Sequence, residues 1–213
     1  MRVPALPPER LELGAIDVGT GEPEAVVLRR LTVADAKVVA TAVGDNIEHL
    51  RPWMPWANAE SADERFQRRR LAESEAQWNR GADFGYGLFA NDDGPNSKNA
   101  RLLGAFGLTA RRGPKTLEIG YWLCADVTGH GLASRAVEAL SDAAAALPDV
   151  ERLLVYCDEA NHASAAIPRR LGYRVDRVVT VPAEATAETG RQIEWVLSPD
   201  EWRAVRKANA GES

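Results

Sequence analysis

Residues 117–133, LEIGYWLCADVTGHGLA, hold the densest chemistry of this chain. An alternating strand pattern ends in a short polar loop, and the turn Gly129-His130-Gly131 opens straight into a helix-forming run. Such a turn is a phosphate cradle. Successive backbone N–H groups point one way at a helix N-terminus, where the helix dipole also favours negative charge. Glycine lets the backbone approach an anion closely, where a Cβ stands in the way. A short Gly-x-Gly is a weak signal alone, so its surroundings decide. Cys157 offers a covalent route through its thiol, although a cysteine on an apolar strand more often packs. The run Arg68-Arg69-Arg70 attracts an acidic partner or a phosphate, or else forms the solvated face of a charged helix. His49, His130 and His162 lack zinc-site spacing, so no metal is expected.

These groups need elements to position them. Residues 1–23 carry proline, glycine and charge with little periodicity and are expected to form an irregular extension. Strands are expected at 24–31, 84–90, 102–110, 115–123, 152–157, 173–181 and 191–197. Capping-box pairs, Thr32 with Asp35 and Ser61 with Glu64, start helices to about residues 48 and 80. Further helices are expected at 133–146, at 161–171 before Gly172, and after Ser198 with proline at the first position. The prolines and tryptophans of LRPWMPWANAE exclude a regular helix there. NDDGPNSKN, residues 91–99, reads as a hairpin loop. The order describes one mixed α/β (α+β) domain over residues 24–208, followed by a tail at 209–213.

The 213 residues are 45% hydrophobic, which suffices for one sizeable core. A net charge of -5 argues against a general nucleic-acid partner, which needs a basic face. No apolar run approaches the roughly 18 residues of a membrane span, and the first residues lack a signal-peptide core. Cys124 and Cys157 make no disulfide framework, so a cytoplasmic location is expected.

The order of elements, from about Val26 to Trp202, resembles the GNAT superfamily of acyl-CoA-dependent N-acyltransferases. Thr128-Gly129-His130-Gly131-Leu132-Ala133 is similar to that family's Gln/Arg-x-x-Gly-x-Gly/Ala turn. Thr128 stands in place of Gln or Arg, which removes one donor near the phosphates and leaves the backbone cradle intact. Three segments resemble the RimJ/RimL-like branch, which includes ribosomal-protein N-terminal acetyltransferases. They are LRPWMPWA, LEIGYWL and DEANHASAAIPRRLGYR, the last through Asp158, Asn161, Ser164, Leu171, Gly172 and Tyr173.

The resemblance implies a central, mixed and mostly antiparallel sheet flanked by helices, whose fourth and fifth strands splay to admit the pantetheine arm. It implies direct acyl transfer, acetyl first, from acetyl-CoA or another acyl-CoA to a primary amine. The CoA pyrophosphate then rests on the N–H groups of Gly129, His130, Gly131, Leu132, Ala133 and Ser134. Backbone N–H groups around Trp122, Leu123 and Cys124 receive the thioester oxygen. Glu118, on an otherwise apolar strand, is the expected base, with a pKa raised by partial burial. It shares a strand face with Gly120 and Trp122 and is otherwise a solvent-facing glutamate. Ser164 is expected near the CoA sulfur, to stabilise or protonate the thiolate, and otherwise bonds the helix start. Asn161 caps that helix and meets the pantetheine amide. The superfamily's general-acid tyrosine is absent, because Pro168 holds its position and also removes one helical hydrogen bond. Trp53, Met54 and Trp56 line the acceptor pocket or pack their loop on the core. Arg51 binds an acceptor carboxylate or lies on the surface, and His130 contacts phosphate or is an exposed loop histidine.

Three functions stay open. The first is acetyl transfer to a protein N-terminus or a small amine. The second is transfer of a larger acyl group such as succinyl, for which Arg51 supplies the basic residue. The third is a non-catalytic acyl-CoA-binding domain. A nucleotide hydrolase is disfavoured, since Gly-x4-Gly-Lys-Ser/Thr does not occur. A homodimer is one option for the oligomeric state.

Overall fold

The computed structural model describes residues 5–92 and 100–211. Among them eight strands form one sheet: β1 (Arg10–Asp17), β2 (Pro23–Arg30), β3 (Asp83–Ala90), β4 (Arg101–Thr109), β5 (Thr116–Leu123), β6 (Arg152–Asp158), β7 (Arg174–Thr180) and β8 (Arg191–Leu197). Their order is β1-β2-β3-β4-β5-β6-β8-β7. Every neighbouring pair is antiparallel except β5 with β6. The helices are α1 (Ala36–Asp45), α2 (Ile47–Leu50), α3 (Glu64–Asn79), α4 (Leu132–Ala145), α5 (His162–Arg170) and α6 (Pro199–Gly211). This is the helix-flanked, mostly antiparallel sheet that the resemblance implies. None of these helices is long and apolar enough to cross a membrane.

Apolar spacing explains how the helices seat. α4 buries Leu132, Ala136, Val137, Leu140 and Ala144, a stripe of helical period, against the sheet. α3 buries Leu71 and Trp78, and the Trp78 ring meets Phe84 and Tyr86 edge-on at 5.2 and 4.9 Å between centroids.

Four local expectations are corrected. Arg10–Asp17 is not irregular chain but β1, paired with β2. A register shift between Glu12 and Gly14 moves the inward face from the odd positions Leu11 and Leu13 to the even positions Ile16 and Val18. That shift erases the period of two from the sequence. The first helix breaks at Asn46, whose side chain donates to the Ala42 carbonyl and accepts the Ala125 N–H just beyond β5, both at 2.8 Å. Asp63, not Ser61, caps α3 by accepting the Phe66 N–H at 2.9 Å, while Ser61 holds the Asn58 turn. Residues 209–211 complete α6. Most of the expected hairpin loop, residues 93–99, and the last two tail residues lie outside the described residues.

One break in the sheet positions everything that follows. β5 and β6 pair only from Thr116 to Ile119 against Arg152 to Val155. Beyond that register the strands part. Gly120–Leu123 of β5 keeps its β4 neighbour and Tyr156–Asp158 of β6 keeps β8, but neither segment pairs with the other.

Candidate active site

The parted strands open a cleft of about 820 Å³. Glu118, Gly120, Tyr121 and Trp122 line it from β5, Cys157 and Asp158 from β6, and Asn161 and Ser164 from the start of α5. Trp53, Met54 and Trp56 form one wall. The Trp56 ring lies 6.2 Å from the Trp122 ring, tilted by 57°, which joins that wall to β5. The loop between β7 and β8 forms another wall through Val181, Pro182, Glu184 and Glu188. The two walls are tied by the Ala187 N–H, which donates to the Pro52 carbonyl at 3.0 Å. Asp158 anchors the same loop, accepting the N–H groups of Thr189 and Gly190 at 3.0 Å, and it also accepts the Ala160 N–H at 2.9 Å before α5. Arg51 does not line the cleft; it is exposed and pairs with Glu48.

Glu118 is 3% exposed and bound by two arginines of the turn between β4 and β5. Arg111 approaches with Nε at 3.1 Å and makes a second, shorter contact through Nη2. Arg112 donates from Nε at 2.7 Å, with its guanidinium 4.2 Å from the centre of the Tyr156 ring. Burial alone pushes the Glu118 pKa up, but the hydrogen bonds and charges of Arg111 and Arg112 outweigh it and hold the carboxyl below its ordinary value. This corrects the expected upward shift. Partial burial was legible from the strand, whereas the turn that delivers two guanidiniums was not.

Ser164 and Asn161 both line the cleft. Asn161 caps α5, accepting the Ser164 N–H at 3.0 Å. The Ser164 Oγ donates to the Tyr121 hydroxyl at 3.1 Å, and that hydroxyl donates to the Ser164 carbonyl at 3.0 Å. Pro168, four residues on, has no N–H for that carbonyl, and the phenol takes the open position. Burial pushes the Tyr121 pKa well up, so the phenol stays protonated and available as a donor. Burial likewise raises the Cys157 thiol, which keeps it from being a ready thiolate nucleophile.

At the donor side the roles shift by one residue. The Cys124 N–H already donates to the Leu103 carbonyl at 2.8 Å. Strand alternation gives the Trp122 N–H the same direction, towards β4, and turns the Leu123 N–H into the gap beside β6. Of the three expected backbone donors, Leu123 remains, and Trp122 contributes its ring. Among the described residues no protein acceptor meets the N–H groups of Gly129, His130, Gly131, Leu132, Ala133 or Ser134, so the cradle stands open. Its glycines are required by conformation rather than by space. Gly129 and Gly131 have φ of 86° and 76°, and a Cβ on either meets nothing within 4 Å. The His130 ring packs on the β1–β2 turn, with Nε2 3.2 Å from where a Gly19 Cβ would lie. Arg170 of α5 donates to the Ser134 Oγ at 2.7 Å and brings a cation to the cradle.

Sequence reasoning missed Tyr121, Arg111, Arg112 and Arg170. For Tyr121 a signal existed, because a proline inside a helix always leaves the carbonyl four residues earlier without its helical partner. The arginines gave none, since their contacts cross between elements.

The fold thus sets side by side a strand-flanked gap, a helix start with open N–H groups and a cleft lined by a carboxylate and a serine–tyrosine pair. Residues 25–174 match the Acetyltransferase (GNAT) domain, and the chain belongs to that family. Solved structures share its fold. RimJ of Mycobacterium smegmatis, in complex with CoA-disulfide, is 18% identical, with coverage of 98% of each chain and a TM-score of 0.78. A RimL ribosomal alpha-N-protein acetyltransferase in complex with coenzyme A is 21% identical over 88% of this chain and 99% of that one, with a TM-score of 0.73. The microcin self-immunity acetyltransferase MccE, with acetyl-CoA and AMP, is 17% identical over 81% of this chain and 92% of that one, with a TM-score of 0.70. No curated protein matches the chain. The protein is a GNAT-family N-acetyltransferase.

Proposed function

We propose that the protein carries an acetyl group from acetyl-CoA to a primary amine, at a protein N-terminus or on a small molecule, with both substrates bound together. The observation that carries this reading is the edge of β5 beyond Ile119, which is unpaired with β6, lines the cleft at Gly120–Trp122 and runs on in sequence to the Gly129–Gly131 turn. An extended pantetheine arm pairs with such an edge as an added strand. Its pyrophosphate meets the Gly129–Ser134 backbone, with Arg170 beside it. The amine nitrogen attacks the thioester carbon, and the oxygen that gains charge is met by the Leu123 N–H. Glu118, kept ionised by its arginines, takes the ammonium proton directly or through a water. The carbon–sulfur bond breaks as the nitrogen gives up its second proton to solvent water, and the departing thiolate is met by the Ser164 hydroxyl and takes up one proton from that water through it, with Tyr121 holding Ser164 in place. Relatives described with coenzyme A or acetyl-CoA support the donor. The ribosomal alpha-N-protein enzyme supports an N-terminal acceptor, and AMP beside acetyl-CoA in MccE supports a small one. The same reading includes a cytoplasmic location, supported by two free buried cysteines. It also includes a homodimer, supported by the exposed Val175 and Val178 on the edge strand β7.

The test is thermal stability with acetyl-CoA, succinyl-CoA and free CoA, followed by an amine screen with the donor that binds. A ligand of the folded state raises the melting temperature with its affinity. A clear rise with acetyl-CoA and turnover of an amine is the expected result; no rise with any of the three removes the donor site and the reading with it.

A further inference from the structure

Three guanidiniums, those of Arg70, Arg111 and Arg112, line the cleft. Arg111 and Arg112 share a single carboxylate, Glu118. Arg70 has no carboxylate partner among the described residues. Its neighbours in the run are occupied elsewhere: Arg68 pairs with Glu64 and Arg69 lies over the Phe66 ring. Arg70 is also aimed. Its Nε donates to the Gln67 Oε1 at 2.8 Å, and Gln67, 1% exposed, donates from Nε2 to the Ser61 carbonyl at 2.6 Å. That hold leaves both terminal nitrogens for a ligand. Arg70 itself is exposed to solvent where it lines the cleft.

The acids of the opposite wall keep their charge, since among the described residues backbone groups and no cation bind them. Asp158 accepts the backbone of Ala160, Thr189 and Gly190, and Glu188 accepts the N–H groups of Glu184 and Ala185. Glu184 is exposed. The carboxylates that line the cleft suit an ammonium, whereas the terminal nitrogens of Arg70 are left for an anion, and a guanidinium fork matches a carboxylate with two parallel hydrogen bonds.

We infer that the acceptor carries a carboxylate close to its amine, and that Arg70 binds this group while the amine meets the thioester. The inference rests on the transfer reading above. It fits an acidic residue beside a protein N-terminus and equally a small amino-acid-like amine.

The experiment compares matched acceptors that differ only in charge: peptides with Asp, Asn or Lys at the second position, and small amines bearing a carboxylate or its amide. Wild type, R70Q and R70E are assayed, and the acetyl-CoA-induced melting shift confirms fold and donor site in each. Wild type is expected to favour acid over amide by about tenfold in kcat/KM, the scale of one charge-assisted hydrogen bond. The ratio falls towards one in R70Q, and R70E turns the preference towards Lys. Whichever arm carries the preference identifies the source of the carboxylate. Turnover of uncharged amines with no acid preference overturns the inference and leaves the transfer reading standing. A preference that persists in R70E overturns the role of Arg70. No turnover of any acceptor, with acetyl-CoA bound, overturns both.

Discussion

The Tyr121 hydroxyl donates at 3.0 Å to the carbonyl of Ser164, the group a regular helix would bond to an N–H at position 168. Pro168 removes that N–H, and the side chain of a strand completes the helix instead. The same hydroxyl accepts the Ser164 Oγ, so backbone and side chain of Ser164 converge on one phenol.

Ser164 and Tyr121 should therefore behave as one unit. Ser164→Ala is expected to lower kcat by about 10–100-fold, the scale of a lost proton donor. Tyr121→Phe should do nearly as much, and it should cost about 1–2 kcal/mol because a buried carbonyl is left unpaired. The double variant should be no slower than the worse single one. Steady-state rates of the three variants decide it, and additive losses would mean that the two groups act separately.

Supplying the missing donor is a sharper probe. Pro168→Ala gives α5 an N–H that competes for the Ser164 carbonyl. Chemical denaturation should show stability unchanged or higher, while kcat drops because the phenol loses its partner. A fall in stability with kcat intact would refute the arrangement.

The arginine pair sets where pH acts. The Glu118 pKa is lower in the folded protein than its ordinary value of 4.5. Its charge therefore contributes stability above that ordinary value, and the contribution is lost as pH falls through the lowered one. An acid limb in kcat/KM owed to Glu118 must also lie below 4.5. Any limb in the range of about pH 6–9 then belongs to the acceptor amine and should survive, at a rate about 100-fold lower, in Glu118→Gln. A limb near neutrality that vanishes in that variant would show the carboxylate working free of its arginines.

Gly120 lies on β5 between Glu118 and Trp122, lines the cleft, and has nothing within 4 Å of where a Cβ would stand. Gly120→Val should thus fit the fold and fill the site. The melting temperature should stay within a few degrees of wild type, and kcat/KM should fall by about 100-fold through displaced substrate. Full activity would place the reacting groups elsewhere.

Gly131→Ala tests the cradle through conformation. Gly131 caps α4 at a φ of 76°, where alanine is strained by roughly 1 kcal/mol. Titration calorimetry should show weaker acetyl-CoA binding while the KM for the amine is little changed.

Much of this was legible in the residues. Periodic, uninterrupted stretches such as residues 152–157 and 191–197 carry their own pattern, and the observed β6 and β8 coincide with them almost residue for residue. The glycine turn announced the cradle, and LEIGYWL announced the strand that lines the cleft. β1 was hidden because its bulge reverses the alternation midway. The pKa of Glu118 was misjudged for a different reason. Strand pattern reports burial, but the sign of a shift depends on charges brought from a turn whose path no local pattern encodes. Arg51 and Arg70 show the same limit: both were candidates for an anion, and only tertiary packing brings the second into the cleft and leaves the first outside it.

The His130 ring set against Gly19 has a consequence for the opposite end of the chain. β1 is an edge strand, with three strands between it and β5, yet the turn that follows it abuts the Gly129–Gly131 turn. The β1–β2 turn therefore forms part of the rim of the proposed donor site. Shortening the protein from that end should register first as lost grip on acetyl-CoA, well before the catalytic cleft is disturbed.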